Sequence, residues 1–321
     1  MDVDETGQLL SSLWVDQPDA HDGVARRLEQ GTIDADRAAQ LTQFIDEGYT
    51  SLHVDLDAYD ISADDEYERL WDERPAHLAI ATGGQRISMA EAQLGDRQLG
   101  YRLPDVHGFS ELFSALYLHP EVMGLMEQIL DDKAMAFQSL LFEWGSQQGL
   151  HRDPMFVKTT PASELTAAWI ALEDVHDDAG PLLYVPGSHR MPWFQPEPGS
   201  VVFPQAERKK IRTDWAAHRA AQLEELGLEV QRFTCKRGDV FIWHAGLLHG
   251  GAHLDRPEAT RKSLVTHYSR ASNYTSRTAR LKVRDETSGD ERWVTRKGST
   301  DVVLEAHGFM GLDAPLKQAR L

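Results

Sequence analysis

The sequence predicts a mainly β fold with flanking helices, a barrel or jelly roll. From about residue 134 onward, short apolar or alternating runs recur between Gly, Pro and Asp turns. Stripes at helical spacing lie mostly ahead of that stretch. The composition, 41% hydrophobic and 26% charged over 321 residues, is that of an ordinary globular chain able to bury a core without staples.

The first hundred residues read mostly as helix and loop. Thr32, Ile33 and Asp34 supply caps, Ala38, Leu41, Phe44 and Ile45 recur at helical spacing, and Gly48 offers a stop. Residues 54–76 read as an acidic loop, and their spacing does not match a calcium-binding EF-hand. A second helix is expected over about 109–130, with Leu112, Leu116, Val122, Leu125, Met126 and Ile129 as its buried stripe. The strand candidates are 136–144, 165–172, 182–185, 240–243 and 262–268, with turns at Gly180-Pro181, Pro186-Gly187 and Gly238-Asp239. A charged helical segment over 204–228 interrupts them and reads as an insertion between two strands.

Lys and Arg number 33 against 51 Asp and Glu, a formal charge of −18. Such a field repels phosphate backbones and anionic bilayers, so neither nucleic acid nor membrane is an expected partner. The single cysteine, Cys235, leaves no intrachain disulfide and no Cys-based zinc or iron–sulfur site. Residues 1–10 are acidic and lack a basic segment followed by an apolar one, so a cytoplasmic location is expected. Oligomeric state stays open.

The stretch with chemistry is Gly149-Leu150-His151-Arg152-Asp153. On a strand, His151 and Asp153 would point the same way, because side chains alternate. An imidazole and a carboxylate on one face make a two-toothed metal site. A third ligand is available in Leu248-His249-Gly250, 96 residues after Asp153, provided the fold brings two distant strands together. Two His and one carboxylate on one face of a metal leave open positions, as in non-haem Fe(II) oxygenases. The tripeptide also matches the opening of a kinase catalytic loop, but Lys158 stands where that loop needs Asn and no Gly-rich phosphate loop is present. His-Glu-x-x-His and Gly-x-Ser-x-Gly are both absent. His244, His253 and His189 are read as packed, loop and structural imidazoles.

His151-x-Asp153, the turns Gly180-Pro181-Leu182 and Pro186-Gly187-Ser188-His189, Gly238-Asp239-Val240, Leu248-His249-Gly250 and Arg261 stand in an order that resembles the phytanoyl-CoA dioxygenase family of Fe(II)/2-oxoglutarate-dependent oxygenases, over about residues 100–270. The resemblance implies a double-stranded β-helix (a cupin-like jelly roll). It implies that residues 1–100 pack as a helical and loop region on a core spanning 101–321. A helical insertion at about 190–232 and a C-terminal extension after 270 would complete a single domain.

By the same resemblance, His151, Asp153 and His249 would bind Fe(II), and Arg261 would hold the distal carboxylate of 2-oxoglutarate. Gln138, Trp169 and Ser263 fall at cosubstrate positions, and Tyr101 with Arg102 falls near another. O2 would be the second cosubstrate, and a small molecule the substrate. The implied reaction is hydroxylation of an unactivated C–H bond, with 2-oxoglutarate converted to succinate and CO2. Asp153 stands where related halogenases carry a small residue, which favours hydroxylation. Desaturation, epoxidation or cyclisation would use the same ligands. A catalytically silent jelly-roll binding protein and a zinc hydrolase are the rival readings. The basic residues Arg208, Lys209, Lys210 and Arg212 read as a solvated helix face, with a clamp for a substrate phosphate or carboxylate as the alternative. Arg277, Arg280, Lys282 and Trp293 would cover the site or form a subunit contact.

Overall fold

The computed structural model describes residues 11–82, 85–97, 100–157, 159, 161–201, 203 and 208–272, with two further strands at 280–284 and 291–295. Lys158 and Arg277 lie outside the described residues, as do the side chains of Arg208, Lys209, Arg280, Lys282 and Trp293.

In chain order the elements are α1 (Ala20–Glu29), α2 (Ala35–Glu47), β1 (Tyr49–His53), α3 (Ala63–Glu73), β2 (Ala79–Thr82), β3 (Gln85–Ser88), β4 (Arg102–Pro104), α4 (Glu111–Tyr117) and α5 (Pro120–Leu130). There follow β5 (Ala134–Phe142), β6 (Thr166–Ala171), β7 (Leu182–Tyr184), α6 (Arg208–Leu226), β8 (Gln231–Phe233), β9 (Asp239–His244), β10 (His249–Gly251), β11 (Ser263–Arg270), β12 (Arg280–Arg284) and β13 (Glu291–Thr295). The large sheet runs β1-β9-β6-β11-β5-β4-β2-β3, with β13 pairing β5 and β12 pairing β13. The small sheet runs β10-β7-β8. The fold is the jelly roll expected from the strand pattern, mostly antiparallel, with α1–α5 on one flank.

Both faces of the central strands β5, β6, β9 and β11 are largely buried, and period-two alternation assigns each side chain to one of them. Ala168 and Ile170 of β6 and Leu264 and Tyr268 of β11 pack among the helices. Trp169, Phe241, Trp243 and Val265 face the other way, against Leu182 and Tyr184 of the small sheet. Register places Ser263 opposite Ala171, Val265 opposite Trp169 and His267 opposite Ala167. On β5, His267 is matched by Gln138 and Val265 by Leu140. One inward row therefore contains Gln138, Trp169, Ser263, Val265 and His267.

The helical flank follows local rules. Asp34 caps α2 by accepting from the Arg37 N–H at 2.8 Å, and Gly48 closes it at φ +79°, a backbone that suits glycine. The stretch expected as one helix over 109–130 is two. Pro120 lacks an N–H and drives His119 out of the helical region, to ψ 126°. The chain therefore stops at Tyr117 and restarts with Pro120 in the first turn of α5. Leu125, Met126 and Ile129 then bury completely, each contributing about 1.5–3 kcal/mol.

Residues 54–76, expected as an acidic loop, contain α3. Ser62 caps it through the Asp65 N–H, and Ala63, Glu66, Tyr67, Leu70 and Trp71 form a buried stripe that the surrounding acids masked. The first hundred residues also contribute β1, β2 and β3, so they extend the large sheet as well as packing on it.

Candidate metal centre

His151 and His249 meet because two backbones approach closely. Each donates its N–H to the other's carbonyl, at 2.9 and 3.0 Å, in an isolated antiparallel bridge. A Cβ at Gly250 would lie 2.6 Å from the Gln148 carbonyl, and one at Gly251 would lie 2.5 Å from Ser146 Oγ. The two glycines after His249 thus permit the contact. Asp153 is not on a strand, contrary to the reading of His-x-Asp as strand alternation. It opens a short 3-10 turn over Asp153–Met155, with Pro154 as the second residue. Turn and bridge still bring the carboxylate to both imidazoles.

One donor atom from each of His151, Asp153 and His249 lies within 4.8 Å of the others. Asp153 Oδ1 is 3.4 Å from His249 Nε2 and 3.9 Å from His151 Nε2. Backbone carbonyls set the tautomers. Gly149 O is 3.0 Å from His151 Nδ1 and Leu247 O is 3.1 Å from His249 Nδ1. A carbonyl only accepts, so each Nδ1 carries the proton and each Nε2 presents a lone pair toward Asp153. Two lone pairs and a carboxylate oxygen converging on one point require a cation or a proton between them.

The electrostatics agree. Burial, then the neighbouring His249, lower the His151 pKa to about 3. Burial opposes the charge on Asp153, but His249 and His267 hold its carboxyl well below the usual range. His249 resists burial and is raised by Asp153. A metal ion bound at these donors would compete with protonation of the pair.

The surroundings orient these three donors. Trp243 Nε1 donates to Asp153 Oδ2 at 2.8 Å, and its ring lies 4.8 Å from that of His249. Arg152, wholly buried between His151 and Asp153 in sequence, turns away and donates to the carbonyls of Ser188, Met191 and Pro192. Its guanidinium also sits over Trp193. Ser188 Oγ accepts from the Leu248 N–H at 2.8 Å, so this one residue ties the His151 segment to the His249 segment. From the insertion, Trp215 Nε1 and Arg219 both donate to Leu150 O, which pins α6 beside His151.

A cavity of about 490 Å³ opens on the site. Gln138 lines it together with His151 and Asp153, and Arg102 and Arg212 also line it. His267, which sequence reasoning missed, lines it too, with Nε2 3.6 Å from Asp153 Oδ2. Stepping by two from Arg261 along β11 would have pointed to it.

Arg261 is not among the lining residues. It is buried, donates to Gly180 O at 3.2 Å, and lies 5.5 Å from the Trp169 ring. Arg261 Nε, Ser263 Oγ and Trp169 Nε1 are buried polar atoms with no partner among the described residues. Tyr101 is not brought to the cavity. Its hydroxyl donates to Glu143 at 2.6 Å and accepts from Trp71, within a network that includes Arg97. His244 packs against Asp16 at 3.2 Å, His189 bonds to Ile45 O, and His253 lies exposed in a loop.

Residues 99–255 match the family model for phytanoyl-CoA dioxygenase. The match stops six residues short of Arg261. Peroxisomal phytanoyl-CoA dioxygenase of Bos taurus is 23% identical over 215 residues, which is 65% of this chain and 58% of the bovine protein. L-proline trans-4-hydroxylase of Streptomyces griseoviridis is 26% identical over 186 residues, 52% of this chain and 66% of that protein. The chain spans less than two thirds of the length of these curated relatives. Among solved structures, the epimerase SnoN in complex with Fe3+, alpha ketoglutarate and nogalamycin RO aligns with TM-score 0.52 at 21% identity, covering 74% of this chain and 84% of that one. The likeness is one of fold. Among the described residues, no helix is long and apolar enough to cross a membrane.

Proposed function

The chain belongs to the phytanoyl-CoA dioxygenase family, and from that premise we propose that it is an Fe(II)/2-oxoglutarate-dependent oxygenase hydroxylating an unactivated C–H bond of a small molecule. The observation that carries this reading is the convergence of two imidazole lone pairs and one carboxylate oxygen beside a cavity. His151 Nε2, Asp153 and His249 Nε2 would hold Fe(II), the facial donor set suited to that ion. The partnerless atoms of Arg261, Ser263 and Trp169 fit an anionic cosubstrate, because buried donors left unpaired cost about 1–3 kcal/mol each. Arg261 would take the distal carboxylate of 2-oxoglutarate, with Gln138 near its other end.

Bound there with 2-oxoglutarate and O2, iron supplies an oxidant for C–H bonds while the cosubstrate becomes succinate and CO2. The chain's own residues set the conditions. Gly149 O and Leu247 O hold the imidazole tautomers. Trp243 and His267 hold the outer oxygen of Asp153. Because Asp153 fills the third protein position, hydroxylation is favoured over halogen transfer. Leu140, Phe156 and Phe203 give the cavity an apolar wall along which the carbon to be oxidised would lie.

Anaerobic addition of Fe(II) and 2-oxoglutarate to the full chain is expected to produce a weak visible charge-transfer band. His151→Ala and Asp153→Ala should abolish both the band and O2-dependent succinate release while circular dichroism stays native. Folded, iron-loaded protein without a band would favour a silent binding protein. Turnover without O2 would favour the zinc hydrolase reading.

A further inference from the structure

Strand β6 ends at Ala171 and lies between β9 and β11 in the large sheet. Two acids that follow it reach to opposite neighbours. Asp174 holds the segment entering β9, accepting from the Arg237 N–H at 3.0 Å and from Lys236 Nζ at 2.8 Å. Glu173 holds the segment entering β11. Its Oε1 accepts from the Lys262 N–H at 2.7 Å and its Oε2 from Thr260 Oγ1 at 3.0 Å. The residue between those two donors is Arg261.

The Arg261 side chain is buried and donates from Nη1 to Gly180 O at 3.2 Å, while its Nε has no partner among the described residues. A long side chain held this sparsely is aimed chiefly by the backbone that carries it. That backbone is tied to both neighbouring strands. The Arg261 N–H donates to Glu143 O at 2.8 Å, just past β5, and the Leu172 N–H donates to Lys262 O at 3.0 Å, just past β6. Glu173 adds a carboxylate that holds the chain one residue before and one residue after Arg261. Bonds to a charged acceptor are stronger than neutral ones, and two of them, one to each oxygen, fix direction as well as distance.

We propose that Glu173 is a positioning residue for the cosubstrate. By holding Thr260 and Lys262 it aims Arg261 at the distal carboxylate of 2-oxoglutarate. The inference rests on the proposed function, in which Arg261 is that anchor. Glu173 is not among the residues that line the cavity, so it acts through Arg261.

The test uses the full chain loaded with Mn(II) under argon, with 2-oxoglutarate and 2-oxopentanoate titrated by calorimetry. The second acid carries a methyl group in place of the distal carboxylate. Wild type should prefer 2-oxoglutarate by about tenfold or more, the worth of a charge-assisted pair. Glu173→Ala should remove most of that preference by weakening 2-oxoglutarate, with 2-oxopentanoate and Mn(II) affinities unchanged. Glu173→Gln should restore most of it, because an amide oxygen still accepts from the Lys262 N–H and an amide N–H can donate to Thr260 Oγ1. Asp174→Ala, the clamp on the other neighbour, should keep the wild-type preference. Should Glu173→Ala not fold, Thr260→Val removes one of the two bonds and should lower the preference part-way. A folded Glu173→Ala or Thr260→Val with the full preference would overturn the proposal. So would a Glu173→Ala that weakens both acids alike, since the clamp would then support the fold and not the aim of Arg261. Wild type without a preference would remove Arg261 as the anchor and this role with it, a failure seen before any variant is made.

Discussion

Replacing Trp243 by phenylalanine separates the ligand set from the groups that aim it. The ring body stays beside His249, 4.8 Å away, and only the indole N–H and its outer ring are lost. That N–H is the donor to Asp153 Oδ2 at 2.8 Å, and Asp153 is 5% exposed, so water cannot replace it readily. A hydrogen bond to a charged acceptor is worth roughly 1.5–3 kcal/mol. If most of this is expressed in orienting the carboxylate, metal affinity should fall about 10- to 100-fold, the usual effect of losing an outer partner of a metal ligand. His267 Nε2, 3.6 Å from the same oxygen, can take up part of the loss and favours the lower end. The assay is an anaerobic Fe(II) titration against a competing chelator, with Mn(II) as a redox-inert check. Circular dichroism and a melting curve establish that the variant is folded. Affinity within twofold of wild type in a natively folded variant would refute the orienting role of Trp243.

Arg261→Ala should raise the apparent KM for 2-oxoglutarate far more than it lowers kcat, and an unchanged KM would move the carboxylate anchor elsewhere. Arg152→Met should cost several kcal/mol in urea unfolding, because the carbonyls of Ser188, Met191 and Pro192 lose their buried donor; a loss under 1 kcal/mol would show that this latch is dispensable. Asp16→Asn tests the outer His244 pair. Burial pushes the Asp16 carboxyl up, but His244 and then Ser11 outweigh it, leaving the pKa lowered. A lowered folded pKa stabilises above the unfolded value of about 3.9, and that stabilisation is lost as pH falls through the lower folded value. The stability advantage of wild type over Asp16→Asn should therefore be full near pH 6 and shrink below about pH 4; an advantage independent of pH would rule the ion pair out.

Local signals were legible where one residue type settles the backbone. Asp34 and Gly48 bound α2 as their chemistry requires. Strand runs punctuated by Gly and Pro led to β5, β6, β7, β9 and β11, each displaced by no more than two residues at either end. Legibility failed where two signals competed. The acids of residues 54–76 hid the apolar stripe of α3, and the continuous apolar character of 109–130 hid the break that Pro120 imposes. His151, Asp153 and His249 were legible as donors only together with the wider order of motifs, since His-x-Asp by itself is common. The reason they meet was not, since Asp153 reaches the site from a 3-10 turn rather than a strand.

Residue chemistry and spacing pointed to a barrel or jelly roll and to His151, Asp153 and His249 as metal-donor candidates, and the order of motifs that resembles a known family narrowed the choice, because capping, alternation and donor type act over a few residues. Tertiary packing decided which neighbours those donors acquired. It brought Trp243 and His267 to Asp153, laid Trp215 and Arg219 of the insertion on Leu150, turned Arg212 toward the cavity, and kept Tyr101 on Glu143. These contacts join residues from 42 to over 100 positions apart. The free energy that selects them comes from burying shared surface, which no short stretch of chain can register.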